Sequence, residues 1–487
     1  MVETGAPSRR LDARPAARHG RLIDTPALRR LWFVVVTVIV VALAARVGWA
    51  AWIAHTEPDA VRSGDTPGYL GPARALIEAG RFSYSPHDDT PMFLRTPGYP
   101  ALLAAILWVT DSEWAISPIQ AAFSASIVVL AVLVGRRVIG AVAGLVAGVI
   151  VALDPLQFAL SGTILSETLA SFTLLAVAAG GIPVFLRPPG RVRPVHVAAL
   201  GALLAVATLV RPTTYYLPPL LAVLIAVRLR GSGWRRPAAY AVAFLVPVVV
   251  VLGAWHVRNE RELGTSQFSG SQAVTLYCWH AAEVRAQVDG VSVGEAREGL
   301  GCHRGGWDDL ASSCPSWWDC DAAQPLADGA AWDEMSRRGI DILRDNPVES
   351  AEVYVRGLVR EVAGPGTDTV RRFLDTGSSP ALVAALFSWN ALLWALAAVG
   401  AVVGLRSSRQ RWYWGFVITL IVYVLLVSGG ANSGARFRAP LVPLLALLAA
   451  LGLRALVLRL TSERRGPVTG STASVTFDTS SGLISTP

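Results

Sequence analysis

The chain has 487 residues, 53% of them hydrophobic and only 16% charged, with a mean hydropathy of +0.47. An ordinary soluble domain carries about 25% charged residues, so this balance excludes that class and marks a polytopic membrane protein. The net charge of +8 gathers at the ends of apolar runs with no interleaved aromatics. It reports loop orientation and attraction to anionic lipid, and it excludes a nucleic-acid groove.

Residues 1–30 are rich in Arg, Ala and Pro without periodicity, and residues 461–487 are rich in Ser, Thr and Gly. Both read as disordered cytoplasmic tails. Between them the apolar runs are, in chain order, 31–54, 115–134, 140–153, 165–186, 196–210, 213–227, 238–256, 381–405, 412–428 and 439–458. The predicted fold class is therefore all-α and polytopic, with about ten transmembrane helices. The first run contains Ala42-Leu43-Ala44, which resembles a cleavage pattern, but its length favours a retained anchor.

Every one of the 43 basic residues of the Lys and Arg count is Arg. The clusters Arg9-Arg10, Arg29-Arg30, Arg136-Arg137, Arg187 to Arg193, Arg228 to Arg236, Arg406 to Arg411 and Arg454 to Arg465 all fall on one side of a ten-span chain. The positive-inside rule then places both termini in the cytoplasm of a bacterial plasma membrane. The expected organisation is a transmembrane catalytic module over 31–256 that includes an outer loop at 55–97, an extracytoplasmic loop domain at 257–380, and C-terminal transmembrane helices at 381–460.

Gly140, Gly144 and Gly148 recur every four residues and predict close helix packing. All four cysteines, Cys278, Cys302, Cys314 and Cys320, lie in the loop 257–380. An even count on the exported side favours two disulfides, with three pairings open. The rival is a zinc site with His280 and His303, although no paired C-x-x-C is present. The stretch Trp332–Ala363 predicts two interfacial helices separated at Asn346-Pro347.

Polar groups gather at the outer ends of spans: Asp65, Asp88, Asp89 and Arg95, then Asp154, Glu167 and Arg211, then Arg258, Glu260, Arg436 and Arg438. Arg46, inside the first span, is the exception. Outer arginines in short loops oppose the positive-inside bias, and their donor forks suit a lipid-borne phosphate. Snorkelling to headgroups is the plain alternative. Asp65-Thr66-Pro67 is a good helix start closed by Gly80, with Asp65 or Thr66 as N-cap, so Asp65 has a capping reading beside a catalytic one. Glu167 has a helix-dipole reading, and Asp88-Asp89 reads as a solvated turn.

Taken in order, GDTPGYLGPARALIEAGRFS, FLRTPGYPALLAAIL, ILSETLASFTLL, LVRPTTYYLPPLL, AWHVRNE, GIDILRDNPVESAEVYVRGLV and GARFRAPLVPLLALLAALGL resemble the integral-membrane glycosyltransferases of the GT-C superfold. The likeness is to the family 39 group, which includes protein O-mannosyltransferases and the lipid A aminoarabinose transferase. It implies a GT-C-like fold whose first outer loop carries short interfacial helices and whose donor is a polyprenyl-phosphate-linked sugar. By that resemblance Asp65 is the catalytic base, Arg95, Arg211, Arg258, Arg436 and Arg438 stand near the donor phosphate, and Glu167 is a second acid for substrate or metal. The mannosyltransferase motif pairs two acids and continues with Pro-Pro. Here Asp65 stands alone and the later motif reads RTPGYP, which argues against protein O-mannosylation.

Transfer from such a donor needs a carboxylate to take the acceptor proton and cations to hold the departing phosphate. Asp65 supplies the first, and the arginines, alone or with a divalent Mg or Mn ion, the second. The acceptor is a glycan, lipid or protein hydroxyl, and one base opposite the leaving group implies inversion. The rival function, a lipid-linked saccharide flippase or small-molecule transporter, calls for ionisable residues near the midplane, and these spans largely lack them.

Overall fold

The first apolar run folds as one helix, α1 (Pro26–Thr56), long enough at 31 residues to cross a bilayer. The computed structural model describes residues 26–230, 233–302, 328–371 and 379–463, so the two tails expected at 1–30 and 461–487 lie almost wholly outside the described residues. After α1 the chain forms α2 (Pro67–Glu78), opened by Pro67 in the first turn, where its missing N–H costs nothing. Gly80 follows the helix end with φ +66°. A short antiparallel hairpin, β1 (Ser83–Ser85) and β2 (Asp88–Pro91), precedes α3 (Gly98–Thr110). Asp88 accepts from the Thr90 amide within the hairpin, and exposed Asp89 pairs with Arg81.

The bundle continues with α4 (Ile116–Val138), α5 (Ala141–Leu153), α6 (Pro155–Ser161), α7 (Glu167–Phe185), α8 (Pro194–Val210), α9 (Leu217–Leu229) and α10 (Arg235–Leu263). Asp154 and Pro155 break α5 from α6 at a bend of 58°. Pro155 cannot extend α5, and the Asp154 carboxylate accepts from the Gln157 amide at 2.9 Å to start α6. The freed carbonyls of Val151 and Ala152 are met by Arg46 Nη2, both at 2.7 Å. Arg46 thus serves the break.

The second long loop builds α11 (Gly270–Val274), a π-helical turn (Thr275–Ala281), α12 (Ala282–Asp289), α13 (Val293–Gly299), α14 (Gly329–Asp345) and α15 (Pro347–Ala363). The chain breaks between α14 and α15 at Asn346-Pro347, as the sequence predicts. A five-residue α16 (Thr367–Arg371) precedes α17 (Pro380–Arg406), α18 (Arg411–Ser428), α19 (Ala435–Arg438) and α20 (Val442–Glu463).

Among the described residues seven helices are long and apolar enough to cross a membrane, or eight if α5 and α6 form one broken span. The count of ten is not reached by this test. The runs expected at 196–210 and 213–227 fold as α8 and α9, of 17 and 13 residues. At about 1.5 Å per residue these reach only about 20–26 Å, short of a full hydrocarbon core. The glycine expectation is met at α4 and α5, where a Cβ on Gly144 would stand 2.5 Å from the Arg136 nitrogen.

Cys278 and Cys302 form a disulfide. Cys314, Cys320 and His303 lie outside the described residues. With both described sulfurs in the bridge, the rival zinc site at Cys278 and Cys302 is not formed, and no metal-suited group of three His, Cys, Asp or Glu side chains gathers among the described residues. The bridged segment packs on the first long loop, with Trp332 of α14 buried against Phe93 at 5.5 Å between ring centres. Ser269 Oγ donates to the Leu94 carbonyl at 2.8 Å and the Gly270 amide to that of Phe93 at 3.0 Å. The segment that leads into Arg95 is therefore fixed by the Ser269–Gly270 backbone and by Trp332.

Candidate active site

Asp65 sits in the turn before α2. Its side chain does not cap that helix: Thr66 occupies the cap position, and no side-chain cap bond forms there. The hydroxyl of Thr66 instead donates to the Ile164 carbonyl at 3.0 Å. The Asp65 carboxylate is turned to two arginines. Oδ1 accepts from Arg95 Nη2 at 2.6 Å, and Oδ2 accepts from Arg436 Nη2.

Arg436, on α19, also donates through Nε to Glu167 Oε1 at 2.6 Å. Glu167 opens α7, where the helix N-terminus favours its charge, and it pairs with Arg211 at 3.0 Å. The continuous chain is thus Arg95, Asp65, Arg436, Glu167, Arg211. It joins residues from five separate stretches of sequence. Three guanidinium groups against two carboxylates leave one formal positive charge in excess, which suits an incoming phosphate.

Aromatic rings floor the cluster. Arg95 lies over Tyr69 at 4.6 Å, and Phe437 lies under Arg211 at 5.1 Å and Arg436 at 5.6 Å. The Tyr69 hydroxyl meets Ser166 Oγ at 3.3 Å, tying α2 to the start of α7. Burial disfavours the Arg95 cation, but Tyr69 and Asp65 outweigh it and hold its pKa above the ordinary guanidinium value. Arg95 stays charged.

Exposure divides the two acids. The Asp65 side chain is 18% exposed and can meet a substrate, whereas Glu167 is 1% exposed. Nor does the pair fit a divalent cation. The Arg436 guanidinium bridges the two carboxylates and already supplies the positive charge a metal would bring.

Arg258 and Arg438 are engaged elsewhere. Arg258 donates to the carbonyls of Met92 at 2.7 Å and Phe82 at 3.1 Å and pairs with Glu262 at 2.5 Å. It holds the β1–β2 hairpin against α10. Arg438 is buried and donates to the carbonyls of Glu361 at 2.5 Å and of Val362 and Gly364 at 3.1 Å. It closes the C-terminal end of α15, as a cation there should.

One acid in this region stands outside the residues singled out from sequence. Glu361 of α15 is fully buried and accepts from Ser428 and Ser433, each at 2.8 Å. The same helix face lays Tyr354 on the Leu426 carbonyl and Arg360 on that of Ala431. A Cβ on Gly357 would stand 1.8 Å from the Gly430 oxygen. Helix α15 is therefore zipped along the 426–433 turn that delivers Arg436. Its sequence mark is an acid placed four residues after Gly357 and eight after Val353, in helical register with both.

Among solved structures the fold matches archaeal oligosaccharyltransferase AglB from Archaeoglobus fulgidus in complex with an inhibitory peptide and a dolichol-phosphate, at 13% identity and TM-score 0.51, over 90% of this chain and 52% of that one. The apo form of the Archaeoglobus fulgidus oligosaccharyltransferase matches at 13% identity and TM-score 0.50, over 88% and 51%. ArnT from Cupriavidus metallidurans in the apo state is 15% identical with TM-score 0.36, over 88% and 77%. The chain spans about half the length of the oligosaccharyltransferases it matches. No protein-family model and no curated protein matches it. The class defined here is a multi-pass membrane protein of the GT-C fold, as the ordered motifs led us to expect. Within that class, the fold it matches at these scores is that of about half of an oligosaccharyltransferase chain.

Proposed function

We propose that the protein is a glycosyltransferase that moves a sugar from a polyprenyl-phosphate donor to an acceptor hydroxyl at the extracytoplasmic face of a bacterial plasma membrane. The observation that carries this reading is the partly exposed Asp65 carboxylate, held between Arg95 and Arg436. The archaeal oligosaccharyltransferase with this fold was solved with a dolichol-phosphate, itself a polyprenyl phosphate, and the arginine excess of the cluster suits such a ligand.

In this mechanism the donor phosphate competes with Asp65 for Arg95 and Arg436. While both arginines hold Asp65, the carboxylate is a weak base; when they turn to the phosphate, its basicity rises. Asp65 then takes the proton of the acceptor hydroxyl as that oxygen bonds to the anomeric carbon. The bond from that carbon to the phosphate oxygen breaks, and its electron pair stays on the phosphate, where the arginines stabilise it. Attack opposite the leaving group inverts the anomeric centre. Glu167 keeps Arg436 and Arg211 in place and does not meet the sugar, which disfavours a two-carboxylate covalent route.

The test is Asp65→Asn in purified protein supplied with polyprenyl-phosphate sugars and membrane extract. Transfer should fall by about 10²–10⁴-fold in variant protein that still folds, as read from its melting transition. Undiminished transfer in the folded variant would remove Asp65 as the base.

A further inference from the structure

At the end of the bundle remote from the Asp65 cluster, helices α17 and α20 part to leave an apolar groove of about 620 Å³. The parting has a local cause. Gly400 and Gly452 bring the two backbones together, since a Cβ on Gly400 would lie 1.9 Å from the Leu448 oxygen and one on Gly452 2.1 Å from that of Leu396. One turn later Gly404 rests on Trp414 of α18, where a Cβ would meet the indole at 2.5 Å. The C-terminal end of α17 is therefore held against α18. The groove is walled by Val399, Val402 and Leu456 and rimmed by Arg406 and Arg459.

Arg459 lies 17 residues beyond Val442 along α20, about 25 Å at about 1.5 Å per residue. The groove thus opens in the leaflet opposite the one that meets the Asp65 cluster. Its walls face hydrocarbon, and its mouth is flanked by two cations at helix ends, so the occupant must be apolar along its length and anionic at one end. We propose that this groove binds an anionic phospholipid, one acyl chain lying between α17 and α20 and the headgroup phosphate between Arg406 and Arg459. Guanidinium pairs are well shaped for phosphate, and basic pockets between transmembrane helices recognise anionic headgroups. Lipid binding here is independent of the proposed transfer activity.

Native mass spectrometry of the detergent-purified protein, titrated with phosphatidylglycerol or phosphatidylcholine of matched chains, tests it. Wild type should retain one phosphatidylglycerol on the order of tenfold more tightly than phosphatidylcholine. The double variant Arg406→Gln/Arg459→Gln should bind both lipids alike, and Val402→Trp, which fills the groove but leaves the charges, should lower retention of both. Arg137→Gln, a basic residue outside the groove, should change nothing. Equal retention of the two lipids by wild type, full phosphatidylglycerol binding by the double variant, or an equal loss in Arg137→Gln would overturn the assignment. Melting temperatures of all variants confirm that folded protein is compared.

Discussion

Arg436 and Glu167, 269 residues apart in the chain, meet at 2.6 Å, and the same guanidinium reaches Asp65. One side chain therefore ties the N-terminal half of the bundle to the start of its last long helix. Arg436→Gln should destabilise the protein, because it leaves buried Glu167 with less compensation. Arg211 still faces that carboxylate, so the loss should fall toward the lower end of about 3–5 kcal/mol. The double variant Arg436→Gln/Glu167→Gln should recover part of it. Denaturant unfolding of both single variants and the double in a fixed detergent closes the cycle, and a double-variant loss equal to the sum of the two single losses would show that the pair is not coupled.

Arg95 and Arg438 should separate in a donor-binding assay. Arg95→Gln removes a charged group bonded to Asp65, so on the proposed function polyprenyl-phosphate binding should weaken by roughly tenfold or more. In Arg438→Gln the binding constant should hold while the melting temperature drops, because its guanidinium serves the carbonyls at the end of α15. A donor affinity that fell equally in both folded variants would return Arg438 to the phosphate site.

Glu361 should give stability a pH dependence. Burial lifts its carboxyl above the ordinary range, although the Ser428 and Ser433 hydroxyls and the Arg211 and Arg438 charges pull it down. The folded state thus holds this proton to higher pH than the unfolded chain does. The resulting stability is complete below the unfolded value of about 4.3 and is lost as pH rises through the folded value. Relative to Glu361→Gln, wild type should melt at progressively lower temperature as pH climbs from about 4 toward 7, and the two should converge in acid. Parallel melting curves over that range would exclude Glu361 as the source.

The Cys278–Cys302 bridge spans a separation of 24 residues. Replacing both with Ala should destabilise the second long loop by about 3 kcal/mol, seen as faster hydrogen exchange across α12 and α13. Unchanged protection would mean that packing on Trp332 suffices without the bridge.

Much of the fold is legible in the sequence, and for a physical reason. Apolar run length, proline breaks and helix ends depend on near neighbours, so the Pro67 start, the Asn346-Pro347 break and the Asp154-Pro155 stop all appear where local chemistry puts them. The span count is less legible, because α8 and α9 depend on how neighbouring helices cover them. Of the two cap candidates Thr66 takes the position, and the Asp65 carboxylate is drawn away by two guanidinium groups. Glu361 is hard to single out from sequence because its partners, Ser428 and Ser433, lie about 70 residues downstream.

The sequence by itself determined that the chain is a helical membrane protein with several acids, Asp65 among them, and a set of arginines gathered at the ends of its spans, since hydropathy and charge placement are local quantities. Only the tertiary structure decided which arginines face that acid. Arg436 and Arg438 are two residues apart on one short helix, about 200° around its axis, so they must point to opposite sides. One reaches Asp65 and Glu167, and the other closes the end of α15. A guanidinium on a long flexible stem has no preferred partner until the fold brings one within reach.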